Sequence, residues 1–361
     1  MKIRDEMVDG PDANAADGVV PRRRRGMMWG IYAGYLALLV FITYRAALWL
    51  MYSADPIGLS TAVDPYTVFY PELFRRGILD SESDGTTYRV LLLGGSVAEQ
   101  TGKLLQQQLS KKFDHPVRVF NAASAAHTTR DSLNKLEHLA DHGTPFDLIL
   151  VYHGINDVNL NRYPKDLFRN DYSHSGWYYR FDSMRKNPKM SMGRMLRDTS
   201  QRIAMASHDE SYDWGNDIKT PPAFEANLRT MIEIAQRMNT PIFLMTFANY
   251  IPDNYTTEAF LAGELDYGKG EFGHPTEVWG WTDNVRKTIA AHNEAVRRVA
   301  DDHPEIPFVD VQSQITQPSD FCDVCHFTPA GIELFVEIVT NKIIESDIPR
   351  KPSPTAATST P

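Results

Sequence analysis

Cysteine is nearly absent: the 361-residue chain carries two, Cys322 and Cys325. Two thiols cannot build the disulfide framework of a small secreted scaffold or a zinc site made of cysteine alone, so stability must come from core packing. Basic charge is also in deficit, with 37 lysines and arginines against 46 aspartates and glutamates and a net charge of −9. That balance repels phosphate backbones and makes nucleic acid an unsuitable partner. No repeat recurs at a fixed period, which excludes solenoids and propellers. A phosphate-binding loop is missing as well, because Gly102-Lys103 stands too far from Gly95 and Leu104 occupies the Ser/Thr position. His153 and His174 lack a metal-ligand spacing to another histidine or carboxylate, so neither a metal nor a cofactor is expected. Long apolar runs are absent with one exception.

That exception is residues 27–44, 18 residues without a charge. At about 1.5 Å per residue it covers roughly 27 Å of a hydrocarbon layer about 30 Å thick. Arg45 falls where its guanidinium can snorkel to the far headgroups, and 46–52 continue along the interface. Arg22, Arg23, Arg24 and Arg25 precede the run, and the positive-inside rule then keeps the N-terminus in the cytoplasm and sends the remainder across. A cleaved signal peptide fits less well: the basic region starts late, the apolar run is long and no A-x-A site follows. The expected organisation is a disordered cytoplasmic tail over 1–26, a single transmembrane anchor over 27–52, a linker and lead-in over 53–86, an extracytoplasmic domain over 87–347 and a disordered tail over 348–361.

Within that domain short apolar runs alternate with longer amphipathic ones, the pattern of a parallel sheet flanked by helices. It predicts strands over 88–93, 117–120, 148–152, 242–246 and 306–311, each followed by a helix, over 98–113, 129–142, 222–238, 282–302 and 329–344. Two insertions interrupt the rhythm, 158–220 after the third strand and 248–281 after the fourth. Segments of that length usually carry function, and both leave the carboxyl edge of the sheet, where ligands bind in open α/β folds.

Three short motifs fall at that edge. Gly94-Gly95-Ser96 puts a hydroxyl at a strand-to-helix turn, with glycines that permit close approach of a substrate. Gly154-Ile155-Asn156-Asp157 places an amide where it can donate to a developing oxyanion. Asp323-Val324-Cys325-His326 precedes the last helix, and its i, i+3 spacing lets the carboxylate hold the imidazole while the other ring nitrogen faces the serine. Each motif alone is weak, since turns and caps use the same residues. Their fixed order makes them specific.

Over roughly 87–345 the chain resembles the SGNH hydrolases, also called GDSL esterases and lipases, through these three blocks. The resemblance implies a three-layer α/β/α fold on a five-stranded parallel sheet, preceded here by the transmembrane helix. It also implies ester hydrolysis or acyl transfer through a serine-bound intermediate, with Ser96 as nucleophile, His326 as base and Asp323 orienting it. The oxyanion hole would comprise the N–H groups of Ser96 and Ala123 and the Asn156 amide. The chain departs from the family at Ala123, where a glycine two residues after Asn121 is expected.

Other readings explain less. Gly94-x-Ser96-x-Ala98 nearly matches the nucleophile elbow of α/β-hydrolases, but there the acid and the histidine stand far apart. Cys322-Asp323-Val324-Cys325-His326 spells a c-type haem attachment motif, yet haem would account for one pentapeptide and leave Ser96 and Asn156 unused. The cysteines are then buried small residues or a local disulfide. The sequence therefore points to an esterase acting on O-acyl esters, O-acetyl foremost, of an envelope polysaccharide or a lipid. A glycan acyltransferase or an inactive membrane-tethered binding protein are the alternatives. Trp177 and Tyr178 in the first insertion are candidate substrate platforms.

Overall fold

The structure, a computed structural model, describes residues 22–52, 61–62, 64–186, 188–190 and 217–346. Residues 1–21 and 347–361, which hold nearly all of both expected tails, lie outside them, as do 53–60 and 191–216. A helix α1, Arg22–Tyr52, carries the apolar run. It starts earlier than expected because the four arginines are good helix formers and extend it rather than joining the tail. Its stretch Trp29–Ala47 is long and apolar enough to cross a membrane by length and composition, as a signal sequence near an N-terminus also is. α1 lies in one compact unit, and residues 62–189 and 217–346 lie in another.

The second unit is built on five strands: β1 Tyr88–Gly94, β2 Val117–Asn121, β3 Leu148–Tyr152, β4 Ile242–Met245 and β5 Phe308–Val309. All pairings are parallel and the order is β2-β1-β3-β4-β5. β1, β3 and β4 are buried along their whole length, as continuous apolar strands covered on both faces must be. The unit's longer helices are α2 Ser96–Lys112, α3 Thr129–Asp141, α4 Gly176–Lys186, α5 Pro221–Arg237, α6 Thr282–Asp302 and α7 Pro329–Glu345. α2 packs with α7, while α5 packs with α3 and α6, which gives the expected three layers. Strand order reverses between β1 and β3, and a crevice opens at such a switch point.

Several strand ends differ from the expected ranges, and two of them have evident local reasons. β1 runs on to Gly94, paired with Tyr152, and only glycine fits there: a Cβ would stand 2.6 Å from the Tyr152 carbonyl and 2.3 Å from Ala98 Cβ. β5 is cut to two residues because the chain turns at Asp310, whose carboxylate accepts from Thr246 Oγ1 at 2.7 Å and from Arg297 Nη2 at 3.1 Å.

The expected linker is part of the fold from Asp64 onward. Helical turns Pro65–Phe69 and Glu72–Arg75 bury Tyr66, Phe69, Tyr70 and Leu73. Ile78 closes the same layer.

Candidate active site

Ser96 follows β1 as the first residue of α2, with Gly95 as its N-cap. A residue there has an N–H without an intrahelical acceptor and sits at the positive end of the helix dipole, so its amide favours negative charge. Gly95 leaves room for the neighbouring motif, since a Cβ on it would meet Asn156 Nδ2 at 2.3 Å.

His326 and Asp323 occupy a turn closed by an antiparallel bridge between Phe321 and Phe327 and by the Cys322 N–H, which donates to the His326 carbonyl at 2.8 Å. His326 Nε2 lies 2.9 Å from Ser96 Oγ, and Nδ1 lies 2.8 Å from Asp323 Oδ2. A carboxylate against Nδ1 fixes the proton there and leaves Nε2 bare, the tautomer that can take the serine proton. Asp323 Oδ1 accepts from the N–H groups of Cys325 at 2.9 Å and His326 at 2.8 Å. Burial raises this carboxyl, but the bonds from His326 and Cys325 outweigh it and hold Asp323 below the usual carboxylate range. It stays ionised against a buried imidazole.

The second insertion crosses this turn as a strap, Gly268–His274. The Gly268 N–H donates to the Phe321 carbonyl at 2.8 Å, and the His274 N–H donates to Asp323 Oδ2 at 3.0 Å. The Phe272 ring stacks on His326 at 5.1 Å between centroids. The two main-chain contacts leave no side-chain signature of their own, because a main-chain N–H looks alike at every residue. Gly268 and Gly270 were the available hint: a Cβ would meet the Ser319 carbonyl at 2.4 Å in one case and Cys322 Sγ at 2.0 Å in the other.

Cys322 and Cys325 are free and buried, which settles the open alternative against a disulfide. Burial pushes the Cys322 thiol up to about 11 and the Cys325 thiol well above its ordinary value, so both are protonated and inert. The haem reading does not fit, since both His326 nitrogens are engaged and Cys325 is fully buried. Asp323, Cys325 and His326 have ligand atoms close enough for a metal ion. A metal there would have to displace the Nδ1 proton that orients the imidazole.

Asn156 reaches the site edge from the turn after β3. Its Nδ2 donates to the His127 carbonyl at 2.9 Å, which leaves the second amide hydrogen for a ligand. His292 Nδ1, 3.2 Å from the Gly154 carbonyl, steadies that turn from α6. Asp157 is fully buried and accepts from Thr129 N–H at 3.0 Å, Thr129 Oγ1 at 2.6 Å and Tyr172 Oη at 2.9 Å.

Ala123 does not fit the role expected of it. It is buried, and its N–H donates to Asn121 Oδ1 at 3.1 Å. Three residues later Ala126 is exposed and has φ of 62°, the left-handed conformation that glycine adopts freely and alanine adopts with strain. It immediately precedes His127, whose carbonyl holds Asn156.

Tyr178 is likewise displaced from its expected role. At 4% exposure it offers no face to a substrate, and its hydroxyl lies 2.6 Å from both Asp131 Oδ2 and Thr128 Oγ1. Trp177 donates Nε1 to Asp131 Oδ1 at 3.0 Å but remains 38% exposed, 6.5 Å from the His127 ring. Together they pin α4 onto α3. Only Trp177 keeps a free surface.

The model of the GDSL-like lipase/acylhydrolase family matches residues 80–334, and the chain belongs to that family. Among solved structures it is similar to a putative acylhydrolase from Bacteroides fragilis, at 15% identity over 76% of this chain and 94% of that one, with a TM-score of 0.44. A lipase/acylhydrolase from Enterococcus faecalis matches at 16% identity over 73% and 99% of the two chains, TM-score 0.41. A variant of the acetyl xylan esterase Axe2 from Geobacillus stearothermophilus matches at 16% identity over 71% and 94%, TM-score 0.41. No curated protein matches the chain.

Proposed function

We propose that this member of the GDSL-like lipase/acylhydrolase family is a serine esterase that removes a small acyl group, acetyl foremost, from hydroxyls of a large alcohol such as an envelope polysaccharide. The observation that carries the reading is the unbroken relay from Ser96 Oγ through His326 to Asp323, at 2.9 and 2.8 Å. In the proposed reaction His326 Nε2 takes the Ser96 proton as Oγ attacks the ester carbonyl, and the carbonyl π pair becomes the oxyanion of a tetrahedral intermediate. Collapse breaks the bond to the alcohol oxygen, which leaves with the proton returned from Nε2. Water, deprotonated by the same nitrogen, then attacks the acyl-serine and releases the carboxylic acid and free Ser96.

The proposed oxyanion donors are the Ser96 N–H, the second Asn156 amide hydrogen and the Ala126 N–H in place of Ala123. Removing one donor of this kind costs about 10²–10³ in kcat. The void beside Ser96, walled by Gly95, Val97, Ile155, Asn156 and Phe247, is too small to take a long acyl chain. Phe272 stacks on His326 of the relay and the partly exposed Trp177 stands near His127, and flat rings of this kind stack on sugars. We place α1 in the membrane with the Arg22–Arg25 cluster on the cytoplasmic side and the esterase outside.

The test uses the full-length chain in detergent with p-nitrophenyl acetate, p-nitrophenyl palmitate and an acetylated glycan. A serine-directed organophosphonate should label Ser96, and Ser96→Ala should abolish the label and lower turnover about 10⁴-fold or more. Unchanged turnover in Ser96→Ala overturns the esterase reading; preference for the palmitate ester overturns the acetyl assignment.

A further inference from the structure

Resting on that reading, we infer that residues 64–79, the segment leading into β1, are a positioning device for the oxyanion loop 121–127, acting through Arg76 and Glu72. The loop's carbonyls are held one after another. Arg76 Nη1 donates to the Asn121 carbonyl at 2.8 Å and to the Ala123 carbonyl at 3.0 Å. Between them, Lys135 Nζ donates to the Ala122 carbonyl at 2.6 Å. Lys135 is completely buried and takes its counter-charge from the same lead-in segment, with Nζ 2.7 Å from Glu72 Oε1. A buried ammonium without that carboxylate would be costly, so Glu72 fixes where Lys135 can stand.

The far side of the loop is tied to the same arginine. Arg76 Nη2 meets Glu99 Oε1 at 2.5 Å, while Glu99 Oε2 accepts the Ala125 N–H at 3.0 Å. His127 Nδ1 lies 3.7 Å from Glu72 Oε1, and its carbonyl holds the Asn156 amide. Three successive carbonyls, the N–H of residue 125 and the carbonyl of residue 127 are therefore fixed. The Ala126 N–H is the donor left over between them. Anchored flanks supply from outside the stiffness that a strained, non-glycine left-handed residue needs.

Stability alone does not account for Arg76. Its pair with Glu99 is about one-third exposed on each side, at 37% and 32%, and pairs this exposed add little to folding free energy. Its geometry is nonetheless multidentate, joining two backbone carbonyls and one carboxylate as only a guanidinium fork can. Arg76 is a positioning residue, and its effect belongs in kcat rather than in Tm.

The experiment compares the full-length chain in detergent with Arg76→Met, Arg76→Lys and Glu99→Gln, with Arg75→Met, an exposed neighbour, as control. Two readouts are taken: p-nitrophenyl acetate kinetics per organophosphonate-titrated serine, and hydrogen exchange of peptides covering 121–127 and 321–327. Arg76→Met should lower kcat about 10- to 100-fold with KM within about twofold, the scale of a donor misplaced by about an ångström. Exchange over 121–127 should quicken about tenfold or more while 321–327 keeps the wild-type rate. Glu99→Gln should move both readouts less in the same direction, and Arg76→Lys should recover part of the loss, since one ammonium reaches a carbonyl but cannot bridge all three acceptors. Unchanged exchange over 121–127 in Arg76→Met overturns the inference whatever the turnover. So does faster loop exchange with unchanged kcat, or exchange quickened across the whole domain in both Arg76→Met and Glu99→Gln. A wild-type chain without Ser96-dependent turnover would sink the esterase reading, and the exchange arm would still decide the clamp.

Discussion

Asp157 shows what burial does to one residue of the site. Burial pushes its carboxyl up to about 7, against the bonds from Thr129 and Tyr172 that hold it down and with Asp131 adding to the rise. An unfolded aspartate titrates near 3.9. The folded chain therefore binds this proton more tightly than the unfolded one, so the group's contribution to stability is fully present below about pH 4 and is lost as pH rises through about 7. Thermal unfolding of the wild type, set against Asp157→Asn, should show a Tm difference that shifts against the wild type across that window. A difference independent of pH would mean that Asp157 is ionised throughout. Asn156 next to it is half-buried, so one dipeptide supplies a buried anchor and the proposed oxyanion amide.

At the level of elements, the site is assembled from four turns and one strap. The turns after β1 and β3 and the turn before α7 carry Ser96, Asn156 and His326, the turn after β2 adds the His127 carbonyl that holds Asn156, and Gly268–His274 crosses the turn of His326. The strap lies so close that Gly270→Ala would place Cβ 2.0 Å from Cys322 Sγ, an overlap that forces a shift. Overpacking of this kind costs about 1–3 kcal/mol. Moving the strap also moves the His274 N–H off Asp323. Gly270→Ala should therefore lower both Tm and kcat, the latter by about tenfold or more through misplacement of the imidazole. Adding Cys322→Ala removes the sulfur and should restore most of both. The nearest remaining atoms are then Cys322 Cβ at 3.3 Å and the Phe327 carbonyl oxygen at 3.5 Å. A double variant as impaired as the single one would show that the strap is held elsewhere.

For the whole molecule the prediction concerns orientation. α1 has the length and composition to cross a bilayer, and four arginines at its start would keep that end inside. A reporter active only outside the cytoplasm, fused to the C-terminus, should be on, and replacing Arg22–Arg25 with glutamine should reduce or invert its signal. An active cytoplasmic reporter at the same place would put the esterase on the inner side.

The architecture and the candidate reacting groups were both legible in the chain. Strands such as 88–93 and 148–152 are apolar throughout because both faces are covered, and Ser96, Asn156, Asp323 and His326 stand in short motifs where side-chain identity is the chemistry. Tertiary structure alone decided what those groups lean on. The His274 N–H on Asp323 and the carbonyls held by Arg76 are main-chain contacts between residues far apart in the chain, and main-chain atoms leave no mark on residue identity. The hydrogen bonds made by Ala123 and Tyr178 are hidden from the sequence for the same reason. Whether an N–H is already donated to Asn121, or a phenol is already spent on Asp131, depends on partners that only the fold brings within reach.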